Sequence, residues 1–145
     1  MSFVNIWVHV VWGTRRREPL LEKSVRYDIF NHIRQNAKSK GIHVDFINGY
    51  VDHVHCLISM NAKQDIATIV QALKGESSHW VNNKTALLKH RLEWCEDYYA
   101  VSVGASGLDA VREYIRNQEA HHGKKTFADE CEEFMRIYGF DRKLE

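Results

Sequence analysis

The segment from 52 to 60 constrains the fold most, because from position 54 onward an apolar residue occupies every second position. These residues are Val54, Cys56, Ile58 and Met60. Side chains at i and i+2 of a strand point to the same side of a sheet, so the four define a face that must be buried. His53 and His55 then project together from the opposite face. The chain is therefore expected to form a sheet with one packed face and one face that carries two imidazoles.

The remaining periodicity predicts the element order β-α-β-β-α-β, followed by further helices. Strands are expected over 3–12, 42–50, 52–60 and 98–103, and helices over about 21–40, 66–80 and 107–122, with a last amphipathic helix from about 127. This order matches the ferredoxin-like split β-α-β arrangement, an α+β fold in which both crossover helices cover one face of an antiparallel sheet. The face that carries the two histidines is left for function or for the added C-terminal helices.

Composition narrows the class of protein. The 145 residues, 44% of them hydrophobic, suit a single domain over 1–145. No stretch approaches the roughly 20 apolar residues of a membrane span, and no signal pattern opens the chain, so we expect a cytoplasmic protein. Three cysteines without CxxC spacing argue against a disulfide framework and a thiolate zinc site. A net charge of +1 provides no global field for nucleic acid, so any such affinity must come from local patches.

Tyr114 and Gln118 share one face of the third predicted helix, because residues four apart are neighbours on a helix. Together with the histidine pair they indicate a metal-assisted tyrosine nuclease. A divalent ion on a non-bridging phosphate oxygen relieves the repulsion that protects a phosphodiester, and neutral imidazole and amide ligands leave that ion electrophilic. A tyrosine nucleophile conserves the broken bond as a phosphotyrosine, so a free 3′-hydroxyl can later reverse the step and join a new strand.

Four segments, in this order, carry a resemblance to a known family. They are Thr14-Arg15-Arg16-Arg17, Asp52-His53-Val54-His55-Cys56-Leu57, Leu73-Lys74-Gly75-Glu76-Ser77-Ser78, and Tyr114-Ile115-Arg116-Asn117-Gln118-Glu119 with His121-His122. The chain resembles the small single-tyrosine transposases of the insertion-sequence-two-hundred type. These belong to the His-hydrophobic-His (HUH) nucleases, which act on single-stranded DNA.

The resemblance implies a role for each motif residue. Tyr114 would be the nucleophile that forms a 5′-phosphotyrosine, and His53, His55 and Gln118 would hold Mg²⁺ or Mn²⁺. His121 or His122, one helical turn further on, is the alternative to Gln118 as the third ligand. The substrate would be single-stranded DNA with hairpin ends, and the reaction would excise and insert a mobile element. The resemblance also implies a homodimer in which the tyrosine helix of one protomer completes the histidine site of the other.

Basic and hydroxyl side chains in two segments are candidate DNA contacts. They are Arg15, Arg16, Arg17, Lys74, Ser77 and Ser78. The arginine run is equally compatible with a solvated loop after a strand. Two other functions remain open: a module that binds single-stranded nucleic acid without cutting it, and a related single-strand nuclease with a host role.

Overall fold

The computed structural model describes residues 2–123 and 125–138 of the chain. Its strands are β1 (Ile6–Gly13), β2 (His43–Gly49), β3 (His53–Met60) and β4 (Tyr99–Val103). They form an antiparallel sheet in the order β2-β3-β1-β4. Because β3 lies between β2 and β1, the connection through the first helix crosses a strand, as the split β-α-β topology requires. The predicted α+β, ferredoxin-like fold is confirmed.

The first strand starts three residues later than predicted. Residues 3–5 are exposed, and the Phe3 side chain is 90% accessible. The neighbouring strands end at the same level: Met60, the last residue of β3, lies opposite Ile6, and Val103, the last residue of β4, lies opposite Trp7. Alternation alone cannot locate this boundary, because it depends on where the neighbouring strands stop.

Helices α1 (Lys23–Ser39) and α2 (Ile66–Lys84) cover the apolar face of the sheet. The core joins buried residues of β1 and β3 to residues of both helices, among them Val10, Trp12, Val54, Cys56, Ile58, Ile29, Ile33, Ile69 and Leu73. Asp65 caps α2 by accepting a hydrogen bond from the Thr68 amide at 2.8 Å. No helix in the described part of the chain has the length and apolarity to cross a bilayer.

The predicted helix over 107–122 is wrong as a single element. It is divided into α3 (Leu108–Arg116) and α4 (Gln118–His122), with Asn117 between them outside helical geometry. The Asn117 side chain donates to the Glu113 carboxylate at 3.1 Å, and its backbone N–H bonds to the Glu113 carbonyl. Asparagine competes for such local hydrogen bonds and so favours a helix end.

Helix α3 lies against β2 and β3 on the face opposite the core. Its last turn is held by Asn48 of β2, whose amide donates to the carbonyls of Ile115 and Arg116 at 3.0 and 3.1 Å. Arg112 forms an ion pair with Asp45 at 2.8 Å. These contacts fix α3 above the strand pair that carries the histidines.

The last described helix, α5 (Phe127–Tyr138), lies on the same face. Phe127 packs in a small cluster with Val11, Tyr99, Val101 and Cys131. A Cβ atom on Gly13 would lie 2.7 Å from Phe127 Cε2, so the ring fits only because residue 13 has no side chain. This contact seats the start of α5 over the end of β1.

Candidate metal and tyrosine site

Three buried imidazoles converge on one carboxylate. His53 and His55 lie on β3, His122 ends α4, and Glu130 is one turn into α5. Glu130 Oε1 lies 3.1 Å from Nε2 of His53, 3.1 Å from Nε2 of His55 and 3.2 Å from Nε2 of His122. The four ligand atoms all lie within 4.8 Å of one another. This buried group could hold a metal ion.

The second nitrogen of each imidazole is also occupied. His53 Nδ1 lies 2.8 Å from Asp52 Oδ1, and His122 Nδ1 lies 2.7 Å from the Lys125 carbonyl oxygen. Both oxygens accept hydrogen bonds, so Nδ1 carries the proton in the neutral ring and Nε2 keeps its lone pair. His55 Nδ1 lies 2.9 Å from His9 Nε2. Such partners orient histidine ligands in metal sites.

Burial and neighbouring charges set the protonation states. Burial lowers the pKa of His55 to about 4, and burial together with the His55 charge lowers the pKa of His9 to about 3. Burial also acts against the charged form of His53, but hydrogen bonds to Asp52 and Glu130 raise its pKa. For Glu130, burial is outweighed by hydrogen bonds to the three imidazoles, which lower its pKa. A carboxylate anion therefore faces at least one neutral imidazole.

Tyr114 reaches the same carboxylate from α3. Its hydroxyl donates to Glu130 Oε2 and lies 3.5 Å from His121 Nε2. The ring centroid is 5.6 Å from that of His55. Burial and the charge of Glu130 raise the pKa of Tyr114, so the phenol keeps its proton. Within this chain the tyrosine meets its own histidine pair, which differs from the exchange between protomers that the resemblance implies.

Gln118 belongs to the same cluster. It is fully buried, its Oε1 lies 3.1 Å from His53 Nε2, and its amide donates to the Tyr114 carbonyl at 3.2 Å. His122 joins the cluster from the other end of α4, so Gln118 and His122 are not mutually exclusive as ligands. His121 points instead toward Tyr114 and Glu130 Oε2, 3.3 Å from the latter.

The arginine run lies directly after β1, whose last residue, Gly13, pairs with His53. Arg15, Arg16 and Arg17 form an exposed 3₁₀ turn in which Arg16 and Arg17 have φ values of 57° and 56°. Arg15 forms an ion pair with Glu93 at 2.7 Å. Arg16 and Arg17 thus place two further exposed guanidinium groups at the end of the sheet where His53 lies.

The candidates on α2 lie across the sheet from the metal cluster. Lys74 donates to the carbonyls of Cys95 and Glu96. Ser77 is buried, donates to the Lys74 carbonyl and accepts from the Trp94 indole at 3.0 Å, and Ser78 donates to the Gly75 carbonyl. These bonds tie α2 to the segment that precedes β4, and the structure does not bring them near Tyr114.

Sequence reasoning missed three residues of the cluster: His9, Asp52 and Glu130. Alternation places His9 on the same face of β1 as Val11, but only the pairing of Val11 with His55 in the structure shows that this face meets the histidine pair. Asp52 is adjacent to His53 in sequence. Glu130 gives no comparable signal, since it is one of several acidic residues on α5.

Comparison with known proteins places the chain in a family. The family described as "Transposase IS200 like" matches residues 2–118. The IS200 transposases of Salmonella typhimurium and Salmonella typhi are each 24% identical to this chain over 118 residues, covering 79% of it and 77% of their own length.

Two solved structures share the fold. A candidate transposase from Deinococcus radiodurans R1 has a TM-score of 0.62 at 23% identity, over 81% of this chain and 93% of its own. A REP-associated tyrosine transposase bound to a REP hairpin has a TM-score of 0.63 at 13% identity, over 85% and 72%. The fold and the sequence thus point to a transposase. The chain belongs to the IS200-like family of tyrosine transposases.

Proposed function

We propose that this chain cuts and rejoins single-stranded DNA through a covalent bond between Tyr114 and a 5′ phosphate, with the assistance of a divalent ion. The reaction would excise and insert a mobile element. The observation that carries the proposal is the convergence of the Tyr114 hydroxyl with His53, His55 and Gln118 in one buried cluster. The solved relative bound to a REP hairpin supports hairpin-ended DNA as the substrate.

The cluster suits a divalent ion. Neutral imidazoles with Nε2 lone pairs fixed by partners at Nδ1 are good ligands, and the Gln118 carbonyl oxygen adds an uncharged donor. His53, His55 and Gln118 would hold Mg²⁺ or Mn²⁺, with His122 and Glu130 within reach. When bound, the ion would polarise the scissile phosphate and reduce its negative charge.

Tyr114 supplies the nucleophile. The phenol loses its proton as its oxygen forms a bond to phosphorus and the bond from phosphorus to the 3′ oxygen breaks. The leaving strand takes up a proton as a free 3′-hydroxyl, so the step consumes and releases no net proton. Attack of another 3′-hydroxyl on the phosphotyrosine reverses these bond changes and releases the phenol. Strands are therefore joined without an external energy source.

The nucleophile is tested by Tyr114→Phe, which removes only the phenolic oxygen. Wild-type protein is incubated with Mn²⁺ and labelled single-stranded DNA from the ends of its own element, and covalent complexes are resolved by denaturing electrophoresis. We expect no adduct with Tyr114→Phe and normal adduct with Tyr27→Phe, the same change at an exposed tyrosine on α1. An adduct that persists without the Tyr114 hydroxyl would remove this tyrosine from the mechanism. Absence of an adduct from wild-type protein that binds the DNA would favour a binding module.

The ion is tested by His53→Ala and His55→Ala. Each should abolish cleavage, because the remaining ligands hold a hard cation weakly. His79→Ala on the exposed surface of α2 is the matched control and should cleave normally. Cleavage by either β3 variant at the wild-type rate in chelator-treated buffer would contradict a metal-dependent reaction.

Arg16 and Arg17 are proposed to bind DNA phosphates, because both are exposed beside the His53 end of the sheet. Replacing both by Gln should weaken binding and reduce the salt slope by about 0.7 for each phosphate of single-stranded DNA that an arginine neutralises. Lys38→Gln, an exposed change near the end of α1, is the control. A salt slope equal to that of wild type would exclude these two arginines from the DNA interface.

We also propose a homodimer, because rejoining the flanks of an excised segment requires two coordinated cleavages. In the described residues β2 and β4 are the sheet edges on which two copies could pair. Mixing Tyr114→Phe with His55→Ala under subunit exchange reveals how the sites are assembled. Since Tyr114 lies against its own histidine pair, we expect no recovery of cleavage. Recovery would show that the tyrosine acts on the partner's site, and a monomer at every concentration would refute the dimer.

A further inference from the structure

We propose that Glu130 is a protein ligand of the metal ion through Oε1 and a positioning residue for Tyr114 through Oε2, and that the resulting donor set selects Mn²⁺ over Mg²⁺. The inference rests on the proposed function and deepens it. Glu130 lies beyond residues 2–118, where the family match ends. One carboxylate would then connect the ion to the nucleophile.

The surroundings of Glu130 Oε1 call for a cation. The side chain is 2% exposed, and its nearest polar neighbours include the Nε2 atoms of His53, His55 and His122. Nε2 of His53 and His122 carries a lone pair in the neutral ring, because Nδ1 donates elsewhere. Acceptors that face one another in a buried site are costly unless a cation lies among them. A proton satisfies one such contact, whereas a metal ion satisfies all of them.

The distances fit the same interpretation. Ligand atoms about 2.2 Å from an ion and at right angles to each other are separated by about 3.1 Å. The three separations from Glu130 Oε1 are 3.1, 3.1 and 3.2 Å. Gln118 Oε1 is also 3.1 Å from His53 Nε2 and extends the group to a fifth donor. Glu130 Oε1 therefore lies at the distance of a neighbouring ligand from each of the three imidazole nitrogens.

The other carboxylate oxygen is equally constrained. Oε2 accepts the Tyr114 hydroxyl and lies 3.3 Å from His121 Nε2. The carboxylate therefore has one oxygen toward the imidazoles and the other toward the phenol. In this position it fixes the phenolic oxygen at the rim of the ligand cluster.

The donor set determines the preferred ion. Mg²⁺ favours oxygen ligands and retains water, whereas imidazole nitrogen favours transition ions. Three imidazoles with one carboxylate and one amide oxygen should therefore bind Mn²⁺ much more tightly than Mg²⁺. A site with only two imidazoles and an amide would discriminate less.

The test measures binding of Mn²⁺ alone to the full chain without DNA, from the electron paramagnetic resonance signal of the free ion. Glu130→Gln should weaken binding by about 100-fold or more, the upper end of what loss of a ligand's supporting partner costs. Glu132→Gln, an exposed change on the same helix, should bind as wild type does. Mg²⁺ should displace Mn²⁺ only in large excess.

The positioning role is measured by nuclear magnetic resonance of protein with isotopically labelled tyrosine. The Tyr114 ring signal is the one missing from Tyr114→Phe. It should shift in metal-free Glu130→Gln and stay in place in Glu132→Gln. An unmoved signal would refute the contact between Glu130 and Tyr114.

If Glu130→Gln bound Mn²⁺ as tightly as the wild-type protein does, Glu130 would not be a ligand. If the wild-type protein bound Mg²⁺ and Mn²⁺ with equal affinity, the proposed selectivity would be wrong. If Glu130→Gln fails to fold, Glu130→Asp replaces it, because aspartate keeps the charge but its oxygens lie one methylene further from the imidazoles. Unchanged Mn²⁺ affinity in Glu130→Asp would likewise overturn the ligand assignment. The covalent DNA adduct of the wild-type chain reports separately on the proposed function. If the wild-type chain forms the adduct and Glu130→Gln binds Mn²⁺ normally, only the role of Glu130 is refuted. If Glu130→Gln loses Mn²⁺ binding and the wild-type chain forms no adduct, only the transposition chemistry is refuted.

Discussion

Asp52→Asn isolates the contribution of one charge to the metal site. Asp52 Oδ1 accepts from His53 Nδ1 at 2.8 Å, and the side chain is 17% exposed. Asparagine has nearly the same shape and its carbonyl oxygen can still accept this hydrogen bond, so the imidazole keeps its orientation. Only the negative charge behind the ring is removed, and with it part of the basicity of Nε2.

The expected loss follows from the position of that charge. The carboxylate acts on the ion across the ring over roughly 6 Å. At an effective dielectric constant near 20, two unit charges at this distance interact by about 3 kcal/mol, and a unit charge with a divalent ion by about twice that. Partial exposure of Asp52 reduces this value through solvent screening. We expect Mn²⁺ affinity to fall about 10- to 100-fold, or about 1.4–2.7 kcal/mol, the usual effect of removing such a partner.

Calorimetric titration of the full chain with Mn²⁺ near neutral pH measures this change. Asp28→Asn removes an exposed carboxylate from α1 and should leave the affinity unchanged. Thermal unfolding of the metal-free variants checks that the fold is retained. A folded Asp52→Asn protein with wild-type affinity would refute the view that the charge behind His53 strengthens the site.

Three further outcomes follow from the structure. Gly13→Ala places a Cβ 2.7 Å from Phe127 Cε2, so it should destabilise the protein by about 1–3 kcal/mol and weaken Mn²⁺ binding. An unchanged melting temperature in calorimetry would contradict this. Burial raises the pKa of Cys56, so its thiol should resist iodoacetamide at pH 8 until the protein unfolds. Alkylated Cys56 in mass spectrometry of the native protein would contradict this. The pKa of His53 is raised above 6.5, and its imidazole must be deprotonated to bind a metal ion, so Mn²⁺ affinity should fall as the pH drops through that pKa and binding should release a proton. An Mn²⁺ affinity that stays constant across this pH range would contradict the role of His53 as a ligand.

The sequence could predict what local pattern determines. Alternation over 52–60 located the core face of β3 and the position of the histidine pair, and the order of elements indicated the topology. Helical spacing also placed Gln118 next to Tyr114, and the Gln118 amide does donate to the Tyr114 carbonyl. Each of these depends on residues close in the chain or on a rule of chain connection.

The rest depends on contacts between distant segments. Glu130 reaches the imidazoles because Phe127 seats α5 in the space that Gly13 leaves open, and no pattern within α5 reports that space. The break at Asn117 was missed because it comes from side-chain bonding to Glu113, while the hydrophobic spacing continues across it. His9 became relevant only once the pairing of β1 with β3 was known.

The seating of α5 on a small cluster has a consequence for how stability is distributed in the chain. Phe127 and Val11 are the buried members of that cluster, whereas β3 is anchored in the main core between two other strands. Detaching α5 therefore costs less free energy than opening the sheet. Backbone amides of α5 should exchange with deuterium sooner than those of β3. An ion bound by residues of both α5 and β3 would slow exchange in α5 most, so metal occupancy would be measurable as slower amide exchange in this helix. A DNA phosphate would gain access to His53 and His55 through the same local opening.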